Sequence, residues 1–593
     1  MNIPPKDFQH RSLRSLGNSP KITARHSIVL KSQPETSVRD FSQKLRSLAQ
    51  ASGCENPELI SGLFLSIIVL FFIACPRPAC GDEPTAEIQI RCTDICQQLQ
   101  AVTVRIRSGS DVSSGVIVSA DGLVLTVAHG LKPDAATTVI VSGGQAFEAK
   151  RVFVDESADI AILSFDLASP RGSDIRFLSL STDALTAAGQ IAIAAGFPAK
   201  EPDGMTAVIR LGQILAVDDS AIKTSCTLTS GDSGGPLVNS RGELIGLNRQ
   251  IGKSAESNGH IRISAILRVL EQTDSWKKLP QQSRANPLTP LSSKGLLPEP
   301  FVVQMARQAT VEIHGTDRKG SSAVRACGTI LDKLHVATKL SEIVFCEKLE
   351  CHFTDGSKTL ATLNKQDRAR DLAILTMVMP SKHGVVIRAG IAKAKNDVSL
   401  VGRIVFAATS PVNISAAGLI SRDFHKEPSQ PARFGATLQE DGEHVRVTEL
   451  SPNSSAVIAG LKADDEILRL NGKAVISLDA IGNLLQLCQP GDWIVVDIKR
   501  GKNELKIYAQ LQHDPRQQFE KTEFLDGRAG ELSQRRNDFQ ALQHDIAITP
   551  AACGGPLLDI DGHIIGINIA RRARESTLAL PIDIVVQFAN NKL

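Results

Sequence analysis

Two stretches of this chain can be laid one over the other without a gap, and nothing else in it constrains the fold as strongly. SGGPLVNSRGELIGLN at 233–248 lies over CGGPLLDIDGHIIGIN at 553–568. DIAIL at 159–163 returns as DLAIL at 371–375, and VAHGL at 127–131 is set over VATKL at 336–340. A repeat of this kind means one architecture built twice. Its spacing is unequal. Asp159 and Ser233 are 74 residues apart, whereas Asp371 and Cys553 are 182 apart, leaving 108 extra residues in the second copy. A loop accepts a whole domain at small closure entropy, so the excess reads as an insertion.

Many short Val/Ile/Leu runs separated by Gly, Asp, Asn and Pro indicate a mainly β chain, and 593 residues are too many for one core. The 66 Lys and Arg nearly cancel 63 Asp and Glu, and aromatic residues are 4%. That balance gives neither the basic field nor the stacking surface of a nucleic-acid binder. Eight of the eleven cysteines lie at or beyond Cys92. Cys92/Cys96 and Cys346/Cys351 are spaced for local bridges in an oxidising compartment. No paired histidines follow at zinc-ligand spacing, so no metal is expected.

Residues 1–58 carry nine Lys/Arg against five Asp/Glu without periodicity, and a disordered basic tail is expected. LISGLFLSIIVLFFIA at 59–74 is free of charge. Residues 59–80 therefore read as a signal peptide or a membrane anchor, either of which exports the remainder of the chain.

Three positions carry chemistry. Strand-like residues 123–127 lead to His129, an aspartate at 159 opens an apolar strand, and Ser233 sits in the loop GDSGGP at 231–236. A serine hydroxyl is a weak nucleophile that needs an imidazole to take its proton and a carboxylate to orient that imidazole. Glycines on either side let backbone amides face a developing oxyanion. In this order the three motifs resemble the trypsin-fold serine proteases, and most closely their HtrA (DegP-like) branch. The resemblance implies His129, Asp159 and Ser233 as the catalytic triad and the amides of Gly231 and Ser233 as the oxyanion hole. Asp232 departs from the commoner HtrA asparagine and matches trypsin, where that acid pairs with a freshly cut N-terminus. No such start is visible near residues 95–105. Thr227 stands where trypsin has an acid in its specificity pocket, which argues against a Lys/Arg preference.

In the second copy this alignment places Thr338 over the histidine and Cys553 over the serine, with Asp371 retained. A thiol without a base is mostly protonated at neutral pH. His335 alternates to the opposite face of its strand from Thr338, and His544 lies nine residues before Cys553. The second site is therefore expected to be inactive. Within the insertion, FGAT at 434–437, HVRV at 444–447 and AGLKADDEILRLNG at 459–472 resemble a PDZ domain. That resemblance implies a peptide groove headed by Arg433, Phe434, Gly435 and Ala436, taking a C-terminus or exposed segment as an added strand.

The expected fold is mainly β: two trypsin-like double β-barrel domains in tandem, with a PDZ domain inserted in the second. The expected segments are a protease domain at 95–274, a Pro-rich linker at 275–300 and a degenerate domain at 301–425 and 541–593. The PDZ domain takes 432–512, and a polar return linker 513–540. The expected function is an exported serine endopeptidase acting on unfolded or exposed polypeptide, with no cofactor and no nucleic acid. A homo-oligomer fits the resemblance, though no trimer-forming motif occurs. The alternative is a non-catalytic peptide-binding scaffold.

Overall fold

The computed structural model describes residues 82–590 apart from 167–175, 179, 181–185, 200–205, 255–256, 272–296, 317–319, 345, 383–398, 416, 427–431, 443, 487, 489–491, 514–539 and 575. The basic tail, the apolar segment at 59–80, and most of the two linkers lie outside the described residues. Among the described residues no helix is long and apolar enough to cross a membrane.

Four closed six-stranded barrels share one topology, with the strands of each ordered first, second, third, sixth, fifth, fourth. The first barrel begins at Thr103–Ser108 and ends at Ile160–Phe165, and the second runs from Ile191–Gly196 to Asn258–Arg262. The third runs from Thr310–Thr316 to Leu372–Met377, and the fourth from Ile404–Ala407 to Ser576–Pro581. Between the second and third strands of the fourth barrel, Gly418–Lys426 and Gln540–His544, the chain leaves to build a separate sheet. That sheet holds six strands, with Ala436–Asp441 at one edge and the helix Leu478–Gln486 beside it. The expected fold class is the observed one.

Strand periodicity explains how one barrel serves two cores. Val124, Ala161 and Leu163 point inside the first barrel, while Leu123, Leu125, Ile160 and Ile162 point out of it. Alternate residues of one strand face opposite ways, and here both ways are apolar. The outward set forms a cluster shared with Ile193 and Leu247 of the second barrel. The same cluster takes in Val401, Ile404, Phe406 and Leu419 from the fourth. The two double-barrel units are thus fused through one core.

Two helices open the units in the same way. Asp82–Val102 leads into the first barrel and Pro300–Ala309 into the third. Thr103 Oγ1 donates to the carbonyl of Leu99 at 2.7 Å, and Thr310 Oγ1 repeats this to Ala306 at 2.7 Å. The first helix begins thirteen residues before the expected domain start at 95. Its buried residues Cys92, Ile95, Cys96, Leu99 and Val102 follow the 3.6-residue period. Cys92 and Cys96 are one helical turn apart, and none of the eight described cysteines forms a disulfide. Burial pushes the Cys92 thiol up to about 12. The local bridges expected for Cys92/Cys96 and Cys346/Cys351 are not formed.

Candidate active site

The strand Leu123–Thr126 runs into a single 3-10 turn, Ala128–Gly130, that raises His129 to a cleft. Arg249 and Gln250 of the second barrel line the same cleft. Strand Ile160–Phe165 pairs with Leu123–Thr126, and this register carries Asp159 to the histidine. Asp159 has φ +60°, a region that a short polar side chain tolerates better than a bulky one. Its Oδ1 accepts the His129 amide at 3.0 Å, and Nδ1 of the ring lies 2.9 Å from both carboxylate oxygens. Nδ1 therefore carries the proton, and Nε2 on the far side of the ring offers its lone pair.

Burial raises the Asp159 pKa, but hydrogen bonds from the ring and amide of His129, with the charge of Arg249, outweigh it. The net effect holds the carboxyl below its ordinary value. Arg249 places Nε 3.0 Å from Asp159 Oδ2, with half its side chain exposed. Ser233 is half-buried, and its hydroxyl faces the Arg249 carbonyl at 3.5 Å rather than the imidazole. Such hydrogen bonds often close only when substrate is bound.

The loop ahead of Ser233 is shaped by its carbonyls. The Ser230 carbonyl accepts the Ala199 amide at 2.8 Å, and the Asp232 carbonyl accepts the Gly235 amide at 3.0 Å. In a planar trans peptide the N–H points opposite to the C=O. The amides of Gly231 and Ser233 are thereby turned away from these contacts, as an oxyanion hole requires. Gly231 has φ +96°, and an added Cβ would lie 2.4 Å from Ala199 N and Phe197 O. Gly231→Ala is expected to lower casein-digesting activity by roughly 100- to 1,000-fold, the effect of losing one oxyanion donor.

Sequence reasoning missed the residues that pin this loop. Ser114 is fully buried. Its hydroxyl donates to the Gly231 carbonyl and accepts the Phe197 amide, both at 2.8 Å. Its own amide donates to the Ser233 carbonyl at 2.8 Å. Thr126 Oγ1 donates to the Ser114 carbonyl at 2.6 Å. Arg210, fully buried behind the loop, lies 2.9 Å from the loop's own buried Asp232.

In the inserted sheet, the Phe434 carbonyl accepts the Ala456 amide and the Gly435 carbonyl accepts the Ser451 amide, each at 3.0 Å. By the same planarity the amides of Gly435 and Ala436 face the other way, at the head of the edge strand. Arg433 is exposed and Phe434 is buried in the core below. Leu438, Leu484 and Leu485 are partly buried on that core between strand and helix.

Residues 113–247 match the trypsin-like peptidase domain model, and residues 432–511 match the PDZ domain model. The chain carries a trypsin-like peptidase domain and a PDZ domain, and is similar to the HtrA (DegP-like) serine proteases. It is 31% identical over 170 residues to a Synechocystis protein named as the serine protease HhoA, covering 27% of this chain and 41% of that one. Against a periplasmic serine endoprotease of DegP-like name from Halomonas elongata it is 24% identical over 63% of this chain and 73% of that one. The serine protease HTRA1A of Danio rerio is 36% identical over 23% of this chain and 29% of its own length. The chain thus spans under half of two of these relatives and about three quarters of the third.

In this HtrA-like chain the second unit corrects one expectation. Thr338 does not occupy the histidine position. Thr338 pairs with Ala373, as Thr126 pairs with Ala161. Its Oγ1 donates to the Cys327 carbonyl at 2.6 Å, repeating the Thr126 bond to Ser114. The counterpart of His129 is Ser341. Its amide donates to Asp371 Oδ1 at 2.7 Å and its hydroxyl to Oδ2 at 2.8 Å. The signal was in the spacing, since Ser341 precedes Asp371 by 30 residues as His129 precedes Asp159. Asp371 shares the left-handed backbone at φ +55° and has Lys339 Nζ 3.6 Å from Oδ2.

Cys553 is fully buried, and neither candidate histidine serves it. His335 pairs with Asp332 at 2.8 Å. His544 is buried between the Asn568 side chain and the Ile546 amide. Burial, opposed in part by the Asn568 hydrogen bond, lowers the His544 pKa to about 4. The Cys553 amide donates to the Pro550 carbonyl at 3.0 Å within a 3-10 turn, Pro550–Ala552.

Proposed function

We propose that the chain is an exported serine endopeptidase that cuts unfolded or exposed polypeptide at the His129–Asp159–Ser233 site. The observation that carries this reading is the doubly held imidazole, with Nδ1 on Asp159 and Nε2 directed away from it. Ser233 Oγ attacks the scissile carbonyl while His129 Nε2 takes its proton. Asp159 stabilises the imidazolium, and the amides of Gly231 and Ser233 receive the oxyanion. His129 then protonates the leaving amine, and water releases the acyl group by the same route. The relatives' names support an extracytoplasmic setting, as does the charge-free stretch at 59–74.

The second unit is read as catalytically silent, because Ser341 cannot act as a base toward the buried Cys553. The PDZ groove is read as a peptide-binding site, with the amides of Gly435 and Ala436 at its head to meet a terminal carboxylate. A non-catalytic scaffold is the second reading. It is favoured by the Ser233 hydroxyl resting on the Arg249 carbonyl rather than on His129.

A fluorophosphonate probe separates the two. Labelling at Ser233, abolished in Ser233→Ala and unchanged in Cys553→Ala, is the expected result. Folded protein that takes no label is a scaffold.

A further inference from the structure

We infer that Arg210 is the built-in cation that sets the Ser230–Ser233 loop for catalysis, by pairing with Asp232. This inference rests on the reading of Ser233 as the nucleophile. Arg210 projects from the strand Val208–Val217 and has no exposure. Its Nη1 donates to the Val208 carbonyl at 3.0 Å, and Nη2 lies 2.9 Å from Asp232 Oδ2. Asp232 Oδ2 also accepts the Thr229 amide at 2.8 Å. A Cβ on Gly196 would lie 2.4 Å from Asp232 Oδ1, so backbone packs against the carboxylate from the other side. An unpaired buried carboxylate is strongly disfavoured, and the guanidinium answers it in place. No new N-terminus has to be generated to supply the charge.

The second unit is a control within the same chain. Ala552 stands where Asp232 does, so that position offers no carboxylate. Two backbone hydrogen bonds of the frame around it are repeated. Gly234 donates to the Asn248 carbonyl at 2.7 Å and Gly554 to that of Asn568 at 2.6 Å. Ser114 donates to the Ser233 carbonyl at 2.8 Å and Cys327 to that of Cys553 at 3.0 Å. Two things differ: the turn before the nucleophile position, and Cys327, whose Sγ lies 3.5 Å from the Thr409 carbonyl where the Ser114 hydroxyl holds that of Gly231. In the first unit the Ser230 carbonyl bonds Ala199, whereas its counterpart on Pro550 bonds the Cys553 amide. The oxyanion donor of the second unit is thereby consumed by its own loop. Ala551 and Pro550 also replace Gly231 and Ser230 there, so the acid must be tested alone.

The test uses the full chain with Asp232→Ala, Arg210→Lys and the double variant Arg210→Met/Asp232→Ala. The double variant leaves no uncompensated charge and is expected to melt near the parent. Its fluorophosphonate labelling at Ser233 is expected to slow by roughly 100- to 1,000-fold, the loss of an oxyanion donor. Arg210→Lys, which keeps a cation, is expected to retain most of the parent rate.

Amide hydrogen exchange reads the loop without any activity. The Ser233 amide is expected to exchange at least about tenfold more slowly in both Asp232→Ala proteins, as it finds the Ser230 carbonyl. A folded double variant labelled at the parent rate, or with unchanged exchange at Ser233, overturns the inference. Parent protein that takes no label at all, yet shows the exchange change, overturns only the catalytic reading.

Discussion

Asp159→Asn is expected to lower kcat/KM on casein-derived peptides by about 10,000-fold while leaving the fold intact. Asparagine has nearly the shape of aspartate, so the first barrel keeps its packing. The loss is electrical and directional. Asp159 receives both the ring Nδ1–H and the backbone amide of His129, and an amide side chain cannot accept both and balance an imidazolium. It would also release Arg249 from its contact with Oδ2. The sign of the acid response comes from the carboxyl being held below its ordinary value. Its contribution to stability is fully present above the unfolded pKa of about 4, and is lost as pH falls through the lower folded value. Denaturant midpoints for the parent and Asp159→Asn should therefore converge at strongly acidic pH. Near-parental kcat/KM in folded Asp159→Asn would remove the triad.

Phe406→Ala, a substitution in the second unit, is expected to destabilise the first by about 3–5 kcal/mol. Phe406 is 2% exposed and belongs to the apolar cluster that also contains Leu125, Ile162 and Leu247. Emptying that volume leaves a cavity against both units, so their thermal transitions should fall together. Polar contacts across the seam act in the same direction. Asp545 accepts the amides of Leu211 at 2.5 Å and Leu419 at 2.7 Å, one from each unit. Arg574 donates to the carbonyls of Gly252 and Ser254 and to the Asn258 side chain. A scan in which the first unit melts at its parental temperature would mean that the units are stable separately.

Much of this was legible in the chain. Strand alternation, turn residues and the Gly-rich loops are local, and they were enough to read two barrel units and an inserted PDZ sheet. The spacing of His129 and Asp159 was legible too, yet local likeness set Thr338 over the histidine. Equal 30-residue spacing to Asp371, and the barrel register behind it, give that position to Ser341. Helix Asp82–Val102 was not read from the sequence, because its polar face hid the buried stripe of Cys92, Ile95, Cys96, Leu99 and Val102 among loop-like residues.

The repeat, the β architecture, the order of the three candidate triad side chains and the loss of a histidine from the second copy are all written in the order of residues. Which charges meet is set by the folded chain. Arg210 looks like an ordinary surface residue in the sequence, and Asp232 like an acid without its cation; the two become a buried pair when the second barrel closes. Assembly of the fourth barrel against the first two likewise places Phe406 in the first unit's core. Periodicity and turns act over a few residues, whereas pairing of buried charges and shared cores depends on strands brought together from distant parts of the chain.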